Sequence, residues 1–270
     1  MPRDNAPSYM IDGLPTGEWS RFVSLLYGLT KREWRSRYRK SCLGMTWAIV
    51  QPVTYLFLFL WLHRCFSIPS DGMPYALFAY AALAPWTFFG NAVTRAASSI
   101  GANGSLIRKM RFPREVFPLA AIAMALVDFS ISMLLLLGLI AWFHIYPSLA
   151  WLWLLPIMAV IVCFSAGVAL FFTAIGTFRR DIIFGLPIMM QLWMFLSPVM
   201  YSVEQVPEKW RMLYQLNPMT PLINAFRDSL VKGIHLDLGP LGLATALSIL
   251  TLLAGWATFR RLSQYFADTV

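Results

Sequence analysis

The sequence predicts an all-α polytopic membrane protein, with six transmembrane helices, an N-terminal amphipathic interface helix and a re-entrant helical hairpin on the outer side. Two observations predict it. Of the 270 residues, 58% are hydrophobic and only 13% are charged, whereas soluble domains run at about 45–50% apolar and about 25% charged. The apolar residues also come in blocks, and 149–177 contains no charged side chain. Blocks of roughly 20 apolar residues are membrane spans, so an ordinary soluble fold is excluded. The chain divides into a tail (1–16), an interface helix (17–44) and a six-span membrane domain (45–270) that includes the segment 204–236.

Residues 1–16 are polar and interrupted by Pro and Gly. They lack the apolar core and cleavage site of a signal peptide and read as a short cytoplasmic tail. From residue 17 the pattern changes. Phe22, Leu25, Leu26 and Leu29 recur at helical spacing on one face. Lys31, Arg32, Arg35, Arg37, Arg39 and Lys40 follow, with Trp19, Trp34 and Tyr38 among them. An apolar stripe beside many cations and interfacial aromatics predicts a helix lying on the membrane surface. The same cations act as a topology signal.

Six spans are expected, at about 45–62, 75–94, 116–143, 149–177, 182–203 and 238–259, each judged against the ~20 residues needed to cross. Pro52, Pro85, Pro156, Pro187 and Pro198 fall inside them, and membrane helices tolerate such breaks where neighbours satisfy the freed carbonyls. With these bounds, 17 Lys and Arg residues lie on one side and 5 on the other. The positive-inside rule then places both termini in the cytoplasm. The formal charge of +9 is accounted for by cytoplasmic loops and anionic lipid, with no nucleic-acid partner.

The spans contain one carboxylate, Asp128, and no His or Lys. An ionisable group in a span is a functional-site hypothesis, but one Asp makes a poor proton relay. A structural or pore-lining role is expected. Intramembrane acid–base chemistry would need clustered carboxylates and histidines, which the spans lack. His63, His144 and His235 are far apart in sequence, and Cys42, Cys65 and Cys163 form no CxxC, so neither a metal site nor a disulfide framework is expected. The chain has no GxxxxGK[ST] phosphate loop. A transporter without coupling ions or an ATP site of its own must draw energy from a partner.

Two connections are shaped to do work. In 95–115, Asn103, Gly104 and Ser105 offer a turn and an N-cap before Leu106–Met110, and Pro113 stops the helix. A short helix results, carrying Leu106, Ile107, Arg108, Lys109, Arg111 and Arg114 and suited to docking a soluble motor. The other inner loop is very short and holds Arg180 and Asp181, with Asp181 expected to cap the fifth span. On the outer side, Pro207 and Glu208 suit a first helical turn that also holds Trp210, and Asn217-Pro218 ends that segment. Thr220 then offers an N-cap with Pro221 at N1, and Gly233 a stop. The two half-length helices need burial for Leu222, Ile223, Phe226, Leu230 and Val231, and a re-entrant pair provides it. Arg227 and Asp228 should sit where water or a neighbouring half-helix can pair them.

These segments, taken in order, resemble the permease subunits of type-2 ATP-binding-cassette exporters of the polysaccharide and O-antigen branch. Arg37-Tyr38-Arg39 with Leu43-Gly44 and Trp47–Pro52 resembles the family's entry into its first span. Leu106-Ile107-Arg108-Lys109 followed by Phe112-Pro113-Arg114 resembles its coupling loop, and Arg180-Asp181-Ile182 its second cytoplasmic loop. Ser197-Pro198-Val199, Val206-Pro207, Asn217-Pro218-Met219 and Phe226-Arg227 resemble its outer gate. The resemblance implies a homodimer in the bacterial inner membrane, paired with two ATPase subunits that hold ATP and Mg. It implies export of a glycan, usually lipid-linked. Trp86, Phe89, Trp193 and Tyr201, with Phe88 and Phe195, offer stacking faces for sugars, and equally suit an interfacial aromatic belt. Two other readings stay open, an exporter of a drug or lipid and an integral-membrane enzyme acting on lipid carriers.

Overall fold

A computed structural model describes residues 18–38, 46–109, 113–233 and 236–266. The described residues are helical or irregular, without a strand. The helices are α1 (Glu18–Tyr38), α2 (Trp47–Phe66), α3 (Tyr75–Ala102), α4 (Gly104–Lys109), α5 (Val116–Trp142), α6 (Leu154–Phe178), α7 (Arg180–Phe195), α8 (Glu208–Gln215), α9 (Met219–Arg227) and α10 (Leu238–Ser263). A 3₁₀ turn, Leu149–Trp153, leads into α6, and a π turn, Asp228–Lys232, follows α9.

Among the described residues, five segments are long and apolar enough to cross a membrane: Ile49–Phe66, Tyr75–Ala102, Val116–Trp142, Leu149–Phe178 and Leu238–Ser263. Their bounds lie close to five of the six expected spans. The remaining span, expected over 182–203, is realised differently. Helix α7 has 16 residues and stops at Phe195, and the chain turns through Leu196–Val199. Pro198 explains the stop, because it has no N–H and disfavours helical geometry in the residue before it. Ser197 seals the end by donating its hydroxyl to the Trp193 carbonyl (3.0 Å).

Helix α3 is the central post, with 78% of its apolar window buried, against 11% for α2. Its alanines (Ala79, Ala82, Ala92 and Ala96 among them, all fully buried) let α5 and α6 approach closely. Small residues serve this purpose in membranes, where packing rather than water drives association. Helices α6 and α10 come closer still. A methyl group on Gly255 would overlap the carbonyl oxygen of Gly167, and one on Gly167 would lie 2.6 Å from the backbone of Thr251 and Leu252.

A second, smaller apolar cluster closes one end of the bundle. It joins Ile100, Ile107, Phe117, Leu170, Ala174, Phe259 and Phe266, with Leu29 of α1 packed against it. This end carries α1 and α4 and is called the basic end below.

Two capping expectations are corrected. Arg179, in extended geometry (φ −129°, ψ 92°), is the N-cap of α7, so Asp181 sits inside the first turn and makes no capping bond. Thr220 likewise falls inside α9, with its hydroxyl buried and unpartnered. Asn217 does the work instead, its Oδ1 accepting from Met219 N (3.2 Å) and its carbonyl from Thr220 N (2.9 Å). The Gly233 stop holds, with a left-handed φ of 62°.

Candidate functional site

At the basic end, Asn103 joins α3 to α4. Its carbonyl accepts from the amides of Leu106 (2.9 Å) and Ile107 (3.1 Å), which starts α4 at Gly104. Its side chain does not cap α4. It donates to the Ser99 carbonyl (2.8 Å) and accepts from Arg32 of α1. Helix α4 buries Ile107 in the small cluster, half-buries Leu106 and exposes Arg108. Arg114 is half-buried, and Arg180 and Asp181 are exposed. Arg111 and the side chains of Lys109 and Tyr38 lie outside the described residues.

Deeper in the bundle, Asp128 of α5 is 7% exposed. Its Oδ2 accepts from Nη1 of Arg37 on α1 and from Nη1 of Arg95 on α3, each at 2.7 Å. One carboxylate thus ties three helices together, and the buried charge is matched by two guanidinium groups. On α1, burial pushes the Glu33 carboxyl above its ordinary value, opposed by Arg95, Arg32 and Arg37. Phe22 and Leu26 are half-buried on the same helix.

Beside this ionic knot a polar cleft of about 170 Å³ opens between α2, α3 and α7. Gln51 and Tyr55 come from α2, Thr87, Asn91 and Thr94 from α3, and Gln191 from α7. The Tyr55 hydroxyl donates to Gln191 Oε1 (3.2 Å). On α2 and α3 these positions recur at three- and four-residue steps, so the polar groups line up on one face, and α7 adds Gln191 beside Pro187, Met190 and Met194. Trp86 forms one wall of the cleft. Trp86, Phe89 and Trp193 are brought together, with ring centroids 5.2–6.3 Å apart in edge-on geometry. Phe89 is fully buried and stacks on Phe164 at 5.3 Å, which makes it interhelical packing rather than a lining face. Tyr201 lies elsewhere, its hydroxyl 3.0 Å from both the Phe195 carbonyl and the Tyr214 hydroxyl.

At the opposite end, α8 and α9 differ. Helix α8 has no buried residue and exposes Trp210, Met212 and Leu213, with Leu216 exposed at its C-cap. Helix α9 is inserted among α3, α6 and α10, with Pro221, Phe226 and Arg227 buried. Arg227 is held by main-chain carbonyls. Its Nε donates to the Phe78 carbonyl (3.1 Å) and its Nη2 to the carbonyls of Pro198 (3.0 Å) and Val199 (3.3 Å). The guanidinium carbon lies 3.7 Å from the centroid of the Phe78 ring. Asn217 Nδ2 donates to Ser197 Oγ (2.9 Å), so both loops are fastened to the end of α7. Pro207 is exposed and Pro218 buried.

The chain shares 27% identity with the O-antigen export system permease protein RfbA of Klebsiella pneumoniae, over 90% of this chain and 94% of that protein. It shares 27% with the RfbA protein of Myxococcus xanthus, covering 94% and 98% of the two chains. The polysialic acid transport protein KpsM of Escherichia coli is 26% identical over 85% of this chain and 90% of its own length. The family described as ABC-2 type transporter matches residues 24–231. With that match over most of its length and, among the described residues, five helices long and apolar enough to cross a membrane, this multi-pass membrane protein belongs to the ABC-2 type transporter family.

Proposed function

We propose that this chain is the membrane-spanning subunit of an ATP-driven polysaccharide exporter in the bacterial inner membrane. The observation that carries this reading is the polar cleft of Gln51, Tyr55, Asn91 and Gln191, set among helices that are otherwise apolar. Polar side chains facing lipid are expensive, so a one-sided cleft calls for water or polar cargo. On both flanks of the cleft the outward faces of α2 and α7 are uncovered, with Phe57, Trp61, Phe184 and Ile188 each more than 60% exposed. A second copy laid against those faces turns two half-clefts into one channel. Hydroxyls and amides that hydrogen-bond sugars without reading their sequence suit a repetitive glycan on a lipid carrier. The names of the relatives point to the same cargo class.

In this reading α7 is the sixth span, completed by the turn at 196–202. The charge asymmetry puts the basic end and both termini in the cytoplasm. Helix α1, with Phe22, Leu26, Arg37 and Tyr38, meets the inner interface. Leu106, Ile107, Arg108, Lys109, Arg111 and Arg114, with Arg180 and Asp181, receive two ATPase subunits that bind ATP and Mg; this chain contributes no nucleotide site. Segment 204–236 is the re-entrant outer gate, with Pro207, Trp210, Asn217, Pro218, Pro221, Phe226 and Arg227 shaping it. Trp86 and Trp193 border the path.

The test replaces the cleft's amides by an apolar isostere, Asn91→Leu together with Gln191→Leu, in cells that depend on this chain for surface polysaccharide. Export is expected to stop while the ATPase subunit still co-purifies and hydrolyses ATP. Undiminished surface glycan with the double substitution in place would refute the cleft as the path. Loss of a drug-efflux phenotype instead would replace the cargo class.

A further inference from the structure

Helices α1 and α5 leave between them an open cleft of about 580 Å³ on the outside of the bundle. Tyr27, Lys31 and Trp34 line it from α1, and Val127, Ile131 and Leu134 from α5. Its two aliphatic hydroxyls are already spent on their own helices. Thr30 donates to the Leu26 carbonyl (2.8 Å) and Ser130 to that of Leu126 (2.9 Å). What remains is an apolar trough with one cation at its rim. Lys31 lies 5.5 Å from the centroid of the Tyr27 ring and has no carboxylate partner among the described residues. Arg35 is exposed one turn further along α1.

The depth of this trough follows from helix rise. Helix α1 packs against α5, with Leu29 in the small cluster at the basic end and Arg37 bonded to Asp128. Asp128 lies about 21 Å below the far end of α5 at Trp142, at 1.5 Å per residue. Lys31 is up to about 9 Å further along α1 from Arg37. Together they cover the ~30 Å hydrocarbon thickness, which puts the Lys31 ammonium at a headgroup boundary and Ile131 and Leu134 in the acyl region. Trp34 and Tyr27 are the aromatics expected at that level.

We propose that the α1–α5 cleft is a binding site for an anionic glycerophospholipid. Its phosphate pairs with Lys31, assisted by Arg35, and one acyl chain lies along Val127, Ile131 and Leu134. The volume falls in the range of ~300–1,000 Å³ usual for small-ligand sites. The charge of the rim selects anionic over zwitterionic headgroups. The site requires only that α5 spans the bilayer; its assignment to the inner leaflet rests on the orientation proposed above. It does not depend on the cargo.

The permease–ATPase complex, carrying benzoylphenylalanine in place of Leu134, is reconstituted in vesicles of phosphatidylethanolamine and phosphatidylglycerol and irradiated. The same photoprobe in place of Leu250, an exposed residue on α10, reports the bulk lipid ratio. Phosphatidylglycerol adducts at 134 are expected to exceed the ratio at 250 by about fivefold, the equivalent of the ~1 kcal/mol that one basic side chain gains at an anionic surface. Lys31→Gln should return the ratio to bulk. Adducts at 134 in the bulk ratio with Lys31 intact, or adducts to a second copy or to the ATPase, would overturn the proposal whether or not the complex exports glycan.

Discussion

Arg227 and Asp128 meet the same difficulty, an ion in apolar surroundings, by different means. Asp128 shares one oxygen between two guanidinium groups. Arg227 spreads its donors over main-chain oxygens of Phe78, Pro198 and Val199 and lays its plane on the Phe78 ring. That arrangement needs a planar fork with spaced donors, which an ammonium lacks. Arg227→Lys keeps the charge and loses at least one of those bonds, at about 1.5–3 kcal/mol for a bond to a charged group. The detergent-solubilised protein is expected to lose its monodisperse gel-filtration peak at a lower temperature than the parent, and Arg227→Met at a lower one still. Equal melting of all three would mean that α9 is held by its apolar face alone.

Helix α1 is fastened to the bundle at three places: Leu29 in the small cluster, Arg32 on Asn103, and Arg37 on Asp128. Asn103 also starts α4, so the basic helix α1 and the short helix α4 share an anchor. Asp128→Asn keeps the shape of the side chain and removes the charge, leaving Arg37 and Arg95 facing each other. Breaking a buried pair costs about 3–5 kcal/mol, but the Arg37 side chain is 34% exposed, and its share lies nearer the ~0–1 kcal/mol of surface pairs. Amide exchange over 18–38 is therefore expected to quicken severalfold while α6 and α10 keep their protection. Unchanged exchange on α1 would assign its docking to Leu29. The apolar blocks of α2, α3, α5, α6 and α10 are legible in the sequence because lipid imposes one simple demand over the whole segment. The caps of α7 and α9 are not, because Asp181 and Thr220 qualify chemically and only the path of the chain decides which residue leaves the helix. Arg37 and Asp128 stand 91 positions apart, a pairing that no local pattern reveals. The polar cleft was within reach. Gln51, Asn91 and Gln191 are uncharged and barely lower the hydropathy of a span, so a reading by charge passes over them.

At the scale of the whole molecule, the spans differ in how freely they can shift. Helices α2 and α7 present broad uncovered faces, whereas α6 and α10 touch backbone to backbone at Gly167 and Gly255. At that crossing there is no layer of side chains to repack, so the pair moves as one body. Gly255→Leu has nowhere to put its side chain except between the helices. Little folded protein is expected in detergent extracts of Gly255→Leu membranes, judged by gel filtration against the parent. Normal yields would show that the two backbones can separate without loss of the fold. The same contact also has a history in time. Gly255 is synthesised about 90 residues after Gly167, which at ~5–20 residues per second is roughly 4–18 s. For that interval α6 stands in the bilayer with its glycine seam against lipid, and α10, on arrival, must displace that lipid. Helix α10 thus closes a seam that α6 leaves open, and the pace of translation determines how long the nascent chain waits with that seam unfilled.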